Sequence, residues 1–152
     1  MTKHYRVAVL GAGLGGLGMG ASLVRAGIED FIIFEKGDGV GGVWRTNTYP
    51  GVACDTQSHA YCYSYFLHLR ASSMYAPGSD MHSYNVQLKD AFGLEKHIKY
   101  NAEVVAAKWN EANANWEITL RDGEQVTADF FVPAWGQPVS YTHLRAHETV
   151  LD

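Results

Sequence analysis

A strand, a glycine-rich turn, a helix and a second strand follow one another within the first 35 residues, and that succession constrains the fold more than any other feature of the chain. Tyr5 to Leu10, YRVAVL, is a short apolar run containing two valines, the pattern of a buried strand. Gly11-Ala12-Gly13-Leu14-Gly15-Gly16 then turns the chain. A helix is predicted from this turn to about Arg25, with Gly27 ending it. Phe31 to Glu35, FIIFE, reads as a second buried strand. Strand, turn, helix and strand at these lengths make one βαβ unit, so the two strands should be parallel neighbours joined by a right-handed crossover.

The turn has a specific chemistry. Gly11, Gly13 and Gly16 have the spacing G-x-G-x-x-G, between a strand and a helix. The first glycine permits the tight turn, the second lets backbone approach a pyrophosphate, and the third lets helix pack close to strand. The free N–H groups of the helix N-terminus then face the phosphates. Glu35 stands at the end of the second strand, 35 − 16 = 19 residues after the last glycine. A carboxylate there can accept both ribose hydroxyls of an adenosine and would repel a 2′-phosphate. The expected ligand is NAD or FAD rather than NADP, on a Rossmann-like domain.

A second glycine-rich stretch, Gly39 to Asp55, GVGGVWRTNTYPGVACD, comes almost at once. A nicotinamide cofactor needs only the first loop. A flavin is longer and bulkier, and its ring must be held away from the adenosine by backbone that comes very near. Gly41-Gly42 would let the chain pass against the ribityl and ring system, and Trp44 would wall the pocket. This favours FAD.

The rest of the chain suits one α/β domain. Lys36 to about Ser58 reads as a long loop, and Met81 to Gly93 as a helix with Leu88, Ala91 and Phe92 on one face. Val104 to Trp109, Trp116 to Leu120 and Gln125 to Thr127 alternate like short antiparallel strands, with RDGE as a hairpin turn. Ala128 to Gly136 opens as a further buried strand, with Pro133 marking where pairing stops. The fold class is α/β: a Rossmann-like FAD-binding domain with a parallel sheet and a small antiparallel β-meander, incomplete.

Composition excludes several partners. Of 152 residues, 47% are hydrophobic and 18% charged, which is globular, and the net charge of −4 comes with no basic block. Neither a nucleic acid nor an anionic membrane is an expected partner. No apolar run is long enough to span a bilayer, no signal peptide precedes the first strand, and the setting expected is cytoplasmic. Cys54 and Cys62 form no CxxC pair and read as packing residues; His59 and His82 are isolated, and no metal site is expected.

The last residues read differently. Val139 to Thr149, VSYTHLRAHET, matches without a mismatch the translation of a common transposase-based sequencing adapter. His143 and His147 stand at i, i+4 as if for a metal, but an adapter-encoded stretch carries no site. The chain divides into residues 1–137, the N-terminal part of an FAD-binding domain, and 138–152, a non-native tail. The natural sequence is expected to stop near Gln137, in mid-protein.

Taken together, GAGLGGLG, FEKGDGVGGVW and YPGVACDTQSHAYCYSY resemble the N-terminal part of class B flavoprotein monooxygenases, and among them the Baeyer–Villiger monooxygenases. The matching segments are Gly41-Gly42-Val43-Trp44, then Tyr49-Pro50-Gly51 through Asp55, then Tyr61-Cys62-Tyr63-Ser64-Tyr65. Arg45-Thr46 departs from the family, which often has two aromatic residues there, and so does Trp135 in PAWGQ. The resemblance implies a monooxygenase that uses FAD, NADPH and O2 to insert one oxygen into a ketone. It assigns Gly11, Gly13, Leu14, Gly15, Gly16, Glu35, Lys36, Gly42, Val43, Trp44, Asp55, Tyr61 and Val104 to the cofactor, Val104 through a backbone contact with the adenine. It gives Asp55 a catalytic role beside the flavin, paired with an arginine. That arginine and the NADPH site would lie beyond Gln137, so this piece is expected to be inactive alone. The alternatives are another two-dinucleotide flavoprotein, such as an N-hydroxylating monooxygenase, or a nucleotide-binding module without catalysis.

Overall fold

Alternation along the first two strands decides the layering. In a computed structural model of the protein, which describes residues 2–136, β1 (Lys3–Leu10) and β2 (Phe31–Phe34) pair in parallel, Val7 opposite Phe31 and Leu10 opposite Phe34. Val7, Val9, Phe31 and Ile33 point to one face, where they pack with Leu17 and Ala21 of α1 (Leu14–Arg25) and Leu88 of α3 (Gly78–Ala91). Ala8, Ile32 and Phe34 point to the other, against Ile118, Leu120, Val126 and Ala128. Leu17 and Ala21, four residues apart, put both side chains on the sheet side of α1. The helix ends at Ala26, whose N–H donates to Ser22 O at 3.0 Å, and Gly27 comes next at φ +72°. That left-handed residue is the stop that Gly27 was expected to supply.

The six strands form one sheet in the order β3-β2-β1-β6-β5-β4. β3 (Ile98–Lys99), a two-residue strand that sequence patterning did not show, adds in parallel to β2. β5 (Asn115–Leu120) pairs antiparallel with both β4 (Val104–Asn110) and β6 (Gln125–Pro133), so the expected meander is present and continuous with the parallel strands. The RDGE hairpin is closed by Leu120 N–H donating to Glu124 O at 2.9 Å, with Gly123 at φ +90°.

Some expectations need correction. Gln125 to Thr127 and Ala128 to Gly136 are not two strands but the single β6, because its first half pairs with β5 while Val126 to Pro133 pairs with β1. The second half is not buried: Phe130 is 60% exposed, since β5 reaches only as far as Ala128. The stretch from Lys36 to Ser58 is not all loop, for α2 (Val43–Thr46) forms directly after the second glycine pair. The third helix begins at Gly78, three residues before Met81. On it Leu88 is buried as expected, but Ala91 is exposed. The tail 138–152, with His143 and His147, lies outside the described residues. Among the described residues no helix is long and apolar enough to cross a membrane, and no group of three metal-ligating side chains occurs.

Candidate functional site

The chain turns at Gly11 between two parallel neighbours. Gly11 N–H donates to Phe34 O of β2 at 2.8 Å, and Ala134 N–H, just past β6, donates to Leu10 O at 2.9 Å. β1 therefore ends in a crevice between two strands reached by different routes, one through α1 and one through the meander. Such a switch point, outside the carboxyl ends of parallel strands, is where open α/β sheets receive ligands.

The turn leaves no room for side chains at Gly11 and Gly16. A β-carbon on Gly16 would lie 1.8 Å from Gly11 O, so the first turn of α1 sits directly on the backbone that precedes it. The N–H groups of Leu14, Gly15 and Gly16 have no carbonyl within the helix to donate to. Gly15 is exposed, and Gly16 is buried. These groups can receive an anion in the crevice.

Glu35 ties this turn to the start of the second glycine loop. Its Oε2 accepts the N–H of buried Ala12 at 2.8 Å, and its Oε1 accepts the N–H of Gly37 at 2.7 Å. Each carboxylate oxygen keeps a second lone pair, so the group can still accept from a ribose hydroxyl. The second glycine loop closes onto the first. Gly41 N–H donates to Ala12 O at 2.9 Å, and a β-carbon on Gly42, at φ +54°, would lie 3.1 Å from Gly13 Cα. A β-carbon on Gly41 would meet the His82 ring at 2.7 Å and Arg45 Cβ at 3.2 Å. The Gly41-Gly42 pair is thus required where loop meets loop. Arg45 in turn hydrogen-bonds Asp38 at 2.6 Å; Asp38's own backbone N–H, with this guanidinium adding, holds its carboxyl below the usual range.

Beside the crevice, Trp44 and Tyr61 meet edge to face with centroids 5.9 Å apart, packed with Leu14 around buried Cys54. On the other side of β1, Leu10, Val104, Pro133, Trp116, Phe131 and Trp135 line an apolar cleft of about 590 Å³. The structure therefore gathers Gly11, Gly13, Leu14, Gly15, Gly16, Glu35 and Gly42 at one crevice. It sets Trp44 and Tyr61 next to it and Val104 in the adjoining cleft. Lys36 is exposed, and it lies close enough to Glu103 to help Arg121 hold that carboxyl low. Val43 is 39% exposed. Asp55 is not brought to the others. It is exposed, and its carboxylate takes a hydrogen bond from Thr56 Oγ1 at 3.4 Å.

Tyr63 is a residue that motif reading passed over in favour of Tyr61. Its hydroxyl donates to Leu14 O at 2.8 Å, in the first turn of α1. It fits only because Gly18 has no side chain, for a β-carbon there would lie 1.9 Å from the hydroxyl. The ring stacks on Tyr65 at 5.1 Å, and Tyr63 N–H donates to Tyr84 Oη at 2.9 Å. Burial, with neighbouring tyrosines adding, pushes the Tyr63 hydroxyl up to about 12. Glycine inside a helix costs about 1 kcal/mol, so Gly18 was the available signal that something lies across α1.

Fold and crevice define a Rossmann-like dinucleotide-binding unit, and residues 9–76 match the family model of the NAD(P)-binding Rossmann-like domain. The chain is similar over most of its length to flavoprotein monooxygenases of the Baeyer–Villiger type. A Baeyer–Villiger monooxygenase of Streptomyces coelicolor is 40% identical over 134 residues, 88% of this chain and 26% of that protein. A solved oxidised steroid monooxygenase bound to NADP superposes with a TM-score of 0.82 at 34% identity, over 88% of this chain and 26% of the other. The structure of OTEMO in complex with FAD and NADP gives 0.81 at 34% identity, over 87% and 26%. The chain thus spans about a quarter of the length of the relatives it matches.

Proposed function

We propose that residues 1–137 are the FAD-binding part of an FAD- and NADPH-dependent monooxygenase that inserts one oxygen atom of O2 into a ketone. The observation that carries this reading is the meeting of the two glycine loops. Gly13 and Gly42 are in backbone contact, Glu35 buttresses the turn, and Trp44 with Tyr61 stands at its side. A nicotinamide site needs the first loop alone, whereas a flavin needs a second platform beyond the pyrophosphate. The similarity to monooxygenases whose solved complexes contain FAD and NADP supports the same choice.

FAD fits what the crevice offers. The first-turn N–H groups of α1 would hold the pyrophosphate, and Glu35 would accept from the adenosine ribose. The cleft beside Val104 is apolar and wide enough for a purine, and the Trp44–Tyr61 pair would exclude water from the ring end. When bound, the flavin would accept hydride from NADPH and activate O2. Asp55, exposed and next in sequence to the buried Cys54, would place a negative charge near the flavin and pair with a cation supplied from beyond Gln137. Arg45 is not that cation, because Asp38 already holds it.

Two outcomes test this reading. Titrated with FAD, followed by flavin fluorescence, and with NADP, followed by calorimetry, the chain should prefer FAD; preference for NADP would sink the assignment. In the full-length protein, Asp55→Ala should lower oxygenation about 10²-fold while flavin stays bound, the size expected for losing one electrostatic contact at the reacting centre. NADPH consumption with chromatographic product detection reads this out, and undiminished ester formation would remove Asp55 from the mechanism.

A further inference from the structure

The first turn of α1 carries an input from outside the βαβ unit. Tyr63 lies 49 residues from Leu14, yet its hydroxyl donates to Leu14 O at 2.8 Å. That carbonyl belongs to the same peptide group as the N–H of Gly15. An O–H donor on one end of a peptide draws electron density toward the oxygen and makes the N–H at the other end a stronger donor. Gly15 is the exposed residue of that first turn, and its N–H is one of those with no intrahelical partner.

We infer that Tyr63 is a positioning residue for the dinucleotide, which by donating to Leu14 O polarises the Leu14–Gly15 peptide and strengthens the Gly15 N–H toward a pyrophosphate. This rests on the dinucleotide reading of the crevice. The surroundings are built for it. Gly18 clears the space for the ring, and Tyr65 stacks against it. Tyr84, whose hydroxyl donates to Phe66 O at 2.6 Å and accepts from Tyr63 N–H, fixes the backbone of the segment. Tyr63 is held as a neutral donor at any ordinary pH, since burial raises its hydroxyl to about 12. Tyr65 supplies an internal control. Its hydroxyl donates one turn further on, to Gly18 O at 3.3 Å, and does not touch the Leu14–Gly15 peptide.

The test uses the whole 152-residue chain, with FAD and ADP as probes because both carry a pyrophosphate. Tyr63→Phe removes the donor and keeps the ring. The Gly15 amide proton resonance should move upfield, and the Kd for both probes should rise about fivefold, the effect of one ordinary hydrogen bond. Tyr65→Phe should change neither. 3-Fluorotyrosine at position 63 alone, a stronger donor, should move Gly15 downfield and keeps the inference testable if Tyr63→Phe folds poorly. A Gly15 resonance unmoved by both changes at position 63, or moved equally by Tyr65→Phe, overturns the polarisation. A shifted resonance with unchanged affinities overturns the role in binding. If the unsubstituted chain binds neither probe, the dinucleotide reading fails and takes the ligand half of this inference with it, while the Gly15 resonance still decides the polarisation.

Discussion

Gly16→Ala is expected to destabilise the chain by about 4 kcal/mol, at the upper end of what single substitutions do. The new β-carbon would stand 1.8 Å from Gly11 O, and that neighbour is backbone, not the end of a flexible side chain. It cannot yield without moving Gly11. Gly11 N–H is bonded to Phe34 O, and its own α-carbon already faces Ala134 O, 2.8 Å from where a β-carbon would be. Relief must therefore come from lifting α1 off the sheet, which opens the contacts of Leu17 and Ala21 with Val9 and Ile33. Thermal unfolding should show a midpoint lowered by roughly 10 °C. A loss under about 1 kcal/mol in urea unfolding would mean that the first turn of α1 is not seated as described.

Glu35→Ala should cost nearly as much, about 3–4 kcal/mol, although no hydrophobic contact is lost. Two hydrogen bonds to a charged acceptor vanish, each worth about 1.5–3 kcal/mol, and the N–H of fully buried Ala12 is left without its partner. Glu35→Gln should recover part of this, because its carbonyl oxygen can accept one N–H while its amide nitrogen cannot accept the other. Urea unfolding of the two variants gives the comparison. Equal stability of Glu35→Ala and the unsubstituted chain would show that the carboxylate is reserved for a ligand and does not brace the loops. FAD affinity should fall in both variants, more steeply in Glu35→Ala.

The first half of the fold was legible because its signals are local. A β-branched run, a glycine turn and an i, i+4 apolar pair need only neighbours in sequence to declare a strand, a turn and a helix. β6 was harder. Its two halves look different in sequence because they have different partners on one edge, β5 for Gln125 to Ala128 and none of the described strands beyond it. Only the pairing with β1 makes them one strand. The site shows the same limit. The glycines of both loops were visible, but not that Gly42 is spent on Gly13 and Gly41 on His82, contacts that close over tens of residues. Tyr61 and Tyr63 are indistinguishable by motif. A carbonyl 49 residues away and a missing side chain at Gly18 separate them.

β1 sits in the middle of the sheet, and its two neighbours arrive at very different moments of synthesis. β2 comes within one helix of it and can pair almost as soon as it leaves the ribosome. β6 pairs with β1 across 123 residues, as the bond between His4 and Thr127 measures. At about 5–20 residues per second, the second edge of β1 stays open for roughly 6–25 s. The crevice is completed later still, when Ala134 N–H reaches Leu10 O. During that interval the residues of the glycine turn have been synthesised, but one wall of their crevice has not. On the proposed reading, a nascent chain would thus offer a dinucleotide a complete crevice only after the meander has folded back.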